Sequence, residues 1–533
     1  LSFEASAIFY SNACFDRQRL FQYPLNGDFE LRKNDPVDSV SVRLGAVLLV
    51  ALLSIAVRAE KPNILLVLSD DHSLPHVGAY GGNCDELGLT PTLDAFAREG
   101  MVFHRAYTAS PQCAPSRAAI FAGRSPVGIA ATRFAQPARA GTLFFTDLLR
   151  DHGYWVGLDG RHQHLEGRVR DSELINQTLI TKGMKGPDFE ERFDHFVQSW
   201  STRRPPEEVG DRVGEVLDTV PKDKPWFLYF GFNQPHRGWG KDHEGIDPRK
   251  LQLPPDWPDL PEVRLDYARY LADVRDLDRG FGAILKVLAD RGLQQNTVVI
   301  FMGDNGEALL RGKGTLHTRG IHVPLMIRWP ERVAKGSQSS VLVSGVDLAP
   351  TILATAKIEP AKGMTGKSFL DVLLGKEVKP REYVFAERGW HWGSLLNTEG
   401  FDLSRSVTTE RYHYLFNAIP ELTFAPVDMT RKNIAWEAVQ KTHAEGRLSA
   451  LHDRLYFQDR RPVFELYDLA ADPFQLNNLA GRPEFEEIKT SLRPQLDAWM
   501  VSEGDYLPLP SDIIRTTSAD SLQGSSEGKQ ASD

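Results

Sequence analysis

Short apolar runs recur along the chain, each bounded by polar or turn-forming residues: Asn63 to Ser69, Tyr154 to Leu158, Trp226 to Phe232, Thr297 to Met302 and Val323 to Arg328. Such runs predict strands buried on both faces. Between them, Thr92 to Arg98, Leu143 to His152 and Phe281 to Arg291 carry apolar residues at helical spacing, and Gly100, Gly153 and Gly292 follow as C-terminal caps. The alternation predicts an α/β fold: a large, mostly parallel sheet with crossover helices, whose ligands gather at the carboxyl ends of the strands.

From about Arg381 the rhythm changes. Tyr383 to Ala386, Ser406 to Phe416 and Val463 to Leu469 read as strands of a smaller antiparallel sheet, followed by a helix around Phe485 to Met500. The expected division is a catalytic domain over 60–380 and a C-terminal subdomain over 381–510. The segment 511–533, rich in Ser, Gly, Gln and Asp, is expected to be a disordered tail.

Near the other end, Ser41-Val42-Arg43 precedes the apolar run Leu44 to Val57, and Val57-Arg58-Ala59 offers small residues for a signal peptidase. Residues 41–59 are therefore read as a signal peptide cleaved after Ala59, with export to the periplasm or secretion. The run is shorter than the roughly 20 residues a bilayer span requires, which makes a membrane anchor the weaker alternative. Residues 1–40, which begin with leucine and show no periodicity, are expected to be a non-native or unstructured extension ahead of the true start.

The charge balance, 62 basic against 71 acidic residues for a net −9, leaves no basic field for nucleic acid. With Cys14 removed by cleavage, Cys84 and Cys113 remain; they make no disulfide framework, and a single bridge between them is the bland reading.

Two strand ends carry candidate chemistry. The first run stops in Ser69-Asp70-Asp71-His72, and the run Thr297 to Met302 stops in Gly303-Asp304-Asn305-Gly306. Three carboxylates and one carboxamide are oxygen donors that suit Ca2+, or alternatively Mg2+, better than zinc. A third candidate is Cys113-Ala114-Pro115-Ser116-Arg117, where Pro115 suits a first helical turn and Cys113 stands at a helix N-terminus. There the dipole would favour a thiolate, making Cys113 a candidate low-pKa nucleophile.

Cys113-Ala114-Pro115-Ser116-Arg117 with Gly123-Arg124 resembles the C-x-P-S-R-x-x-x-x-x-G-R signature of the type I sulfatases. The resemblance covers most of Lys61 to Glu503, including Asp70-Asp71, Asp304-Asn305-Gly306, Glu465 to Asp468, Asp472-Pro473 and Asn478 to Ala480. It implies an alkaline-phosphatase/sulfatase-like fold, a divalent cation held by Asp70, Asp71, Asp304, Asn305 and the residue at 113, and maturation of Cys113 to formylglycine by a formylglycine-generating enzyme. The hydrated aldehyde then has one hydroxyl to attack sulfur and a second to expel sulfate, an elimination that a serine could not perform.

The same resemblance assigns the remaining roles. Arg117 steadies the formylglycine, Lys313 contacts sulfate, and His236, in Asn233-Gln234-Pro235-His236-Arg237, protonates the leaving group. Where the family commonly has Gly-Lys-x-His, this chain has Gly160-Arg161-His162-Gln163-His164-Leu165. Arg161 would grip an oxyanion as a fork rather than a point charge. His164 is taken to activate the second hydroxyl, with His162 as its competitor.

Phe227 to Arg237 and a looser block from Arg405 to Asn417, with Pro420, Pro426 and Asp428, are similar to the N-sulfoglucosamine sulfohydrolases. Trp239, Trp390, His391 and Trp392 either line a sugar-binding surface or pack between subdomains. The expectation is a sulfatase acting on an O- or N-sulfate of a carbohydrate, without a stable membrane span after cleavage. The alternatives are a phosphodiesterase or phosphonate monoester hydrolase on the same scaffold, and a non-catalytic sulfated-glycan-binding protein.

Overall fold

The first apolar run forms strand β1 (Asn63–Ser69), buried along its whole length. In chain order there follow β2 (Met101–Phe103), β3 (Ala106–Tyr107), β4 (Trp155–Asp159), β5 (His195–Phe196), β6 (Trp226–Gly231) and β7 (Thr297–Gly303). Then come β8 (Leu325–Arg328), β9 (Ser337–Ser339), β10 (Val343–Ser344), β11 (Val384–Arg388), β12 (Ser404–Thr408), β13 (Tyr412–Asn417) and β14 (Phe464–Asp468). The computed structural model describes residues 61–509, except 135, 167–172, 182–188, 198–203 and 392–395. The expected extension, signal peptide and tail, and Trp392, lie outside the described residues.

Eight strands build the large sheet in the order β5-β4-β6-β1-β7-β8-β2-β9. Pairing is parallel from β5 through β7, while β8 runs antiparallel to both β7 and β2. The central strands show no polar alternation because both faces are covered. Ile64, Leu66 and Leu68 pack on one side with Ile120, Phe121, Phe145 and Ile352. Leu65 and Val67 pack on the other with Leu93, Phe96, Val209, Val213 and Phe281. At such fully buried sites truncation of Leu66 to Ala would cost about 2–5 kcal/mol. The second sheet, β11-β12-β13-β14, is antiparallel throughout.

The structure departs from the sequence pattern in two places. The helix expected over 281–291 is the C-terminal third of a 30-residue helix, Pro261–Asp290. Its first two turns and middle hide behind buried acids: Asp278 accepts from the backbone N–H groups of Thr92 and Leu93 at 3.1 and 2.7 Å, capping the helix Pro91–Glu99, and Asp266 pairs with Arg237. The run 406–416, expected as one strand, is instead the hairpin β12–β13, which turns where Thr409 N–H bonds Tyr412 O at 2.8 Å. Gly100 does cap the helix Pro91–Glu99, with extended backbone (φ −133°); a Cβ there would meet Ile327 O at 2.3 Å, so close passage beside β8 is what requires glycine. Gly153 and Gly292 do have positive φ after their helices.

Candidate active site

The carboxyl ends of β6, β1 and β7 are tied to one another by backbone hydrogen bonds. Asp70 N–H donates to Gln234 O, His72 N–H to Asn305 O, and Asp304 N–H to Ser69 O, at 2.8–3.1 Å. This brings Asp70, Asp71, Asp304 and Asn305 together, all fully buried. Asp71 takes a left-handed backbone (φ +62°), which lets adjacent carboxylates turn to one side; strain of this kind clusters at functional sites. Gly306 follows because a Cβ there would lie 1.7 Å from Arg319 O.

Cys113 opens the helix Cys113–Ala122, buried over all ten of its residues. Its Sγ donates to Asp70 Oδ1 at 3.1 Å and to Asp71 Oδ1 at 3.5 Å. Burial pushes the thiol well above its ordinary range, and Asp70 adds to that push. The expected acidification by the helix N-terminus is therefore overturned: low dielectric and neighbouring carboxylates outweigh the dipole. Cys84 and Cys113 are both free and buried, so the alternative disulfide does not form.

Three cations face these acids. Arg117 donates Nη2–H to Asp70 at 3.1 Å and Nε–H to Asp304 at 2.7 Å, and also bonds Tyr229. Arg161, itself left-handed (φ +55°), bonds Asp70. Lys313 reaches Asp71 at 2.9 Å and Asp428 at 2.8 Å. Burial raises the cost of ionising Asp70, yet Arg161 and Arg117 hold its carboxyl well below the usual range. Burial pushes Asp304 up to about 7 against the pull of Arg117, with Asp70 and Asp71 adding to the push.

Counting Asp70, Asp71, Asp304 and Asp428 against Arg117, Arg161 and Lys313, the cluster holds one more acid than base. A divalent cation fits this set. The donors are hard oxygens, Asn305 Oδ1 is buried without a hydrogen-bond partner, and ligand atoms of Asp70, Asp71, Cys113 and His236 lie within 4.8 Å of one another. Asp70, Cys113, His164 and Asp304 meet the same criterion.

The two competing histidines have different surroundings. His164 belongs to the cluster, and its Nδ1 is buried without a partner, whereas the ring of His162 packs edge-on against Phe196 at 5.3 Å. Burial lowers His164 well below its ordinary value, and Arg161 lowers it further. His236 lies 3.7 Å from Asp71 and 4.0 Å from Asp428, with Nδ1 bonded to its neighbour's carbonyl, Arg237 O.

Of the aromatic candidates, Trp239 is packing: its indole N–H donates to Pro235 O, Arg237 stacks over it, and Tyr270 meets it edge-on. Trp390 is 36% exposed beneath the Arg133 guanidinium. Sequence reasoning gave Asp428 and Tyr229 no place in the site. Asp428 sits in a loop without a strand end to signal it, and Tyr229 lies inside an apolar run where it reads as core.

The fold is of the alkaline-phosphatase/sulfatase-like α/β kind, with a buried cluster of acids and cations at the carboxyl ends of its central strands. The chain belongs to the sulfatase family: the family model described as Sulfatase matches residues 62–358, and that described as N-sulphoglucosamine sulphohydrolase, C-terminal, matches residues 306–423. It is 28% identical to an ulvan-active sulfatase of Formosa agariphila over 85% of this chain and 77% of that protein. It is likewise 28% identical to human N-sulphoglucosamine sulphohydrolase over 86% of this chain and 93% of that protein. A solved structure in complex with its substrate D-glucosamine-2-N,6-O-disulfate shares the fold, with a TM-score of 0.62 at 18% identity over 85% of this chain and 100% of the other. The chain is thus a sulfatase, an enzyme of the sulfuric ester and sulfamate hydrolase class. Among the described residues no helix is long and apolar enough to cross a membrane.

Proposed function

We propose that this enzyme is an exported, formylglycine-dependent sulfatase that removes an N- or O-sulfate from a hexosamine, with glucosamine N-sulfate as the first candidate. The observation that carries the reading is the convergence of Asp70 and Asp71 on Cys113 Sγ at 3.1 and 3.5 Å, beside Asp304 and Asn305. A thiol so placed is a poor nucleophile, since burial and Asp70 hold it protonated. Its position suits a precursor.

In this reading residues 60–380 carry the chemistry, 381–510 complete the pocket, and 41–59 direct export. Asp70, Asp71, Asp304, Asn305 and residue 113 hold Ca2+ or Mg2+. The cation supplies positive charge against the sulfate oxygens, and formylglycine at 113 supplies a hydrate with one hydroxyl for attack and one for elimination. Arg117 orients residue 113 through its bonds to Asp70 and Asp304. Lys313 and Arg161 neutralise sulfate oxygens, as preorganised charges in a dry site do most effectively.

His236 gives a proton to the departing sugar oxygen or nitrogen as its bond to sulfur breaks. His164 takes a proton from the second hydroxyl at residue 113 as sulfate leaves. Asp70 and Arg161 act on both rings, while Asp71 and Asp428 lie 3.7 and 4.0 Å from His236. His164 shares the cluster of Asp70, Cys113 and Asp304, and His236 that of Asp70, Asp71 and Cys113, so two separate histidines are at hand for leaving group and hydrate. The reading is tested by turnover of glucosamine N-sulfate and glucosamine 6-O-sulfate by protein matured with a formylglycine-generating enzyme and loaded with Ca2+. Release of sulfate from either supports it; faster turnover of an aryl phosphodiester than of every sulfate contradicts it.

A further inference from the structure

Asp428 enters the site from a loop of the C-terminal region, with a left-handed backbone of φ +61°. Its Oδ2 accepts from Lys313 Nζ at 2.8 Å and lies 4.0 Å from His236 Nε2. Lys313 and Asp71 are 1% and 0% exposed, but the Asp428 side chain is 28% exposed. This carboxylate therefore stands where the buried cluster opens toward solvent.

His391 belongs to the same wall. It is 5% exposed, and among the described residues neither ring nitrogen has a hydrogen-bond partner. The Phe134 ring packs edge-on against both His391 at 4.7 Å and His164 at 5.4 Å, which fixes His391 in register with the catalytic cluster. Burial, with Lys313 and Arg388 opposing the pull of Asp428, keeps its ring neutral. A neutral imidazole presents one donor and one acceptor, and leaving both unmade in a buried place is costly.

A carboxylate at the entrance of an anion pocket works against sulfate binding by simple Coulomb repulsion. Holding Lys313 would not require its exposure, because a fully buried partner would hold the ammonium better. The exposed edge is therefore open to a hydrogen-bond donor from outside the protein.

We propose that Asp428 and His391 form the subsite that recognises the sugar beside its sulfated position, an inference that rests on the carbohydrate-sulfatase reading above. Asp428 accepts an O–H or N–H from the neighbouring carbon, and His391 pairs a further hydroxyl through its free donor and acceptor. The same carboxylate rejects a second sulfate or a carboxylate at that neighbouring position, so the substrate class is a sugar whose sulfate is flanked by neutral or cationic donors.

The test is Asp428→Asn in matured, Ca2+-loaded enzyme, with two readouts. These are kcat/KM on whichever of glucosamine N-sulfate and glucosamine 6-O-sulfate the wild type cleaves faster, and the inhibition constant of inorganic sulfate. Loss of a charge-assisted bond to the sugar predicts a roughly 10- to 100-fold fall in kcat/KM. Removing a negative charge and releasing Lys313 predicts that sulfate binds more tightly. Opposite signs support the subsite.

If substrate turnover and sulfate binding weaken together, Asp428 merely positions Lys313 and the proposal is overturned. His391→Gln provides a second variant, expected to lower kcat/KM for the sugar more than it alters sulfate inhibition; equal effects count against the proposal. Wild-type enzyme shown to carry formylglycine yet releasing sulfate from neither sugar would remove the carbohydrate-sulfatase reading itself.

Discussion

The Sγ of Cys113 lies 3.1 Å from Oδ1 of Asp70, at the point where β1, one of the two central strands of the sheet, ends. A helix start and a strand end meet there, and each contributes something the other lacks. The strand end delivers Asp70 and Asp71, and the helix start delivers Cys113.

Cation binding should stabilise the fold, because the acids outnumber the bases around Cys113. Protein freed of metal by a chelator is expected to gain about 2.7 kcal/mol of stability at a free Ca2+ concentration 100-fold above the dissociation constant. Asp304→Asn should remove most of this gain, as read by thermal denaturation with and without Ca2+. An unchanged melting temperature in the wild type would contradict the assigned donor set.

His164 and His162 should behave differently in a time-resolved assay. Replacing His164 with Ala is expected to leave a stoichiometric burst of desulfated sugar, followed by slow steady-state sulfate release, whereas His162→Ala should show no such change of phase. A burst confined to the His162 variant would reverse the assignment.

Lys313→Ala removes a buried charge aimed between Asp71 and Asp428. A fall in turnover of roughly 100- to 1000-fold is expected, the usual cost of one preorganised charge-stabilising group. A fall of less than about threefold, in steady-state kinetics on the preferred sugar sulfate, would show that Lys313 does not meet the reacting group.

How much of this could be seen in the sequence depended on whether a feature announced itself locally. Asp70, Asp71, Asp304 and Asn305 stand where apolar runs stop, so both the strands and the acids were legible. Cys113 was legible through its motif, although its local setting suggested an acidic thiol that burial reverses. The register at 161–164 was ambiguous because two histidines flank Gln163, and their surroundings differ only in the folded chain. Pro261–Asp290 was cut short because Asp266 and Asp278, buried by tertiary partners, look like surface residues in sequence. Asp428 was visible only as part of a loose resemblance and not as a site residue, since its contact with Lys313 is made by a loop far along the chain.

Acid sensitivity of the fold should trace in part to His413 and His322, both away from the cation site. The His413 ring donates Nε2–H to Leu316 O at 2.8 Å and accepts from Thr408 Oγ1 at 2.7 Å, and burial lowers it to about 3. His322 donates to His104 O and is lowered to about 4, again chiefly by burial. An unfolded histidine titrates near 6.5, so between that pH and the folded values the unfolded chain binds protons the native state refuses. Stability therefore falls as pH drops below about 6.5, by up to about 1.4 kcal/mol per pH unit for each histidine. His413→Gln keeps a donor without titrating and should flatten the slope of urea-unfolding stability between pH 6.5 and 4.5 by about one proton. An identical slope in the variant would contradict the account.

The central claim, that Cys113 is a precursor rather than a working thiol, is tested most directly by mass spectrometry of the tryptic peptide Ala106 to Arg117 from protein made in its native host. The account predicts that the thiol is replaced by an aldehyde or its hydrate in the active fraction. An unmodified cysteine in protein that hydrolyses sulfated sugars at full rate would contradict it.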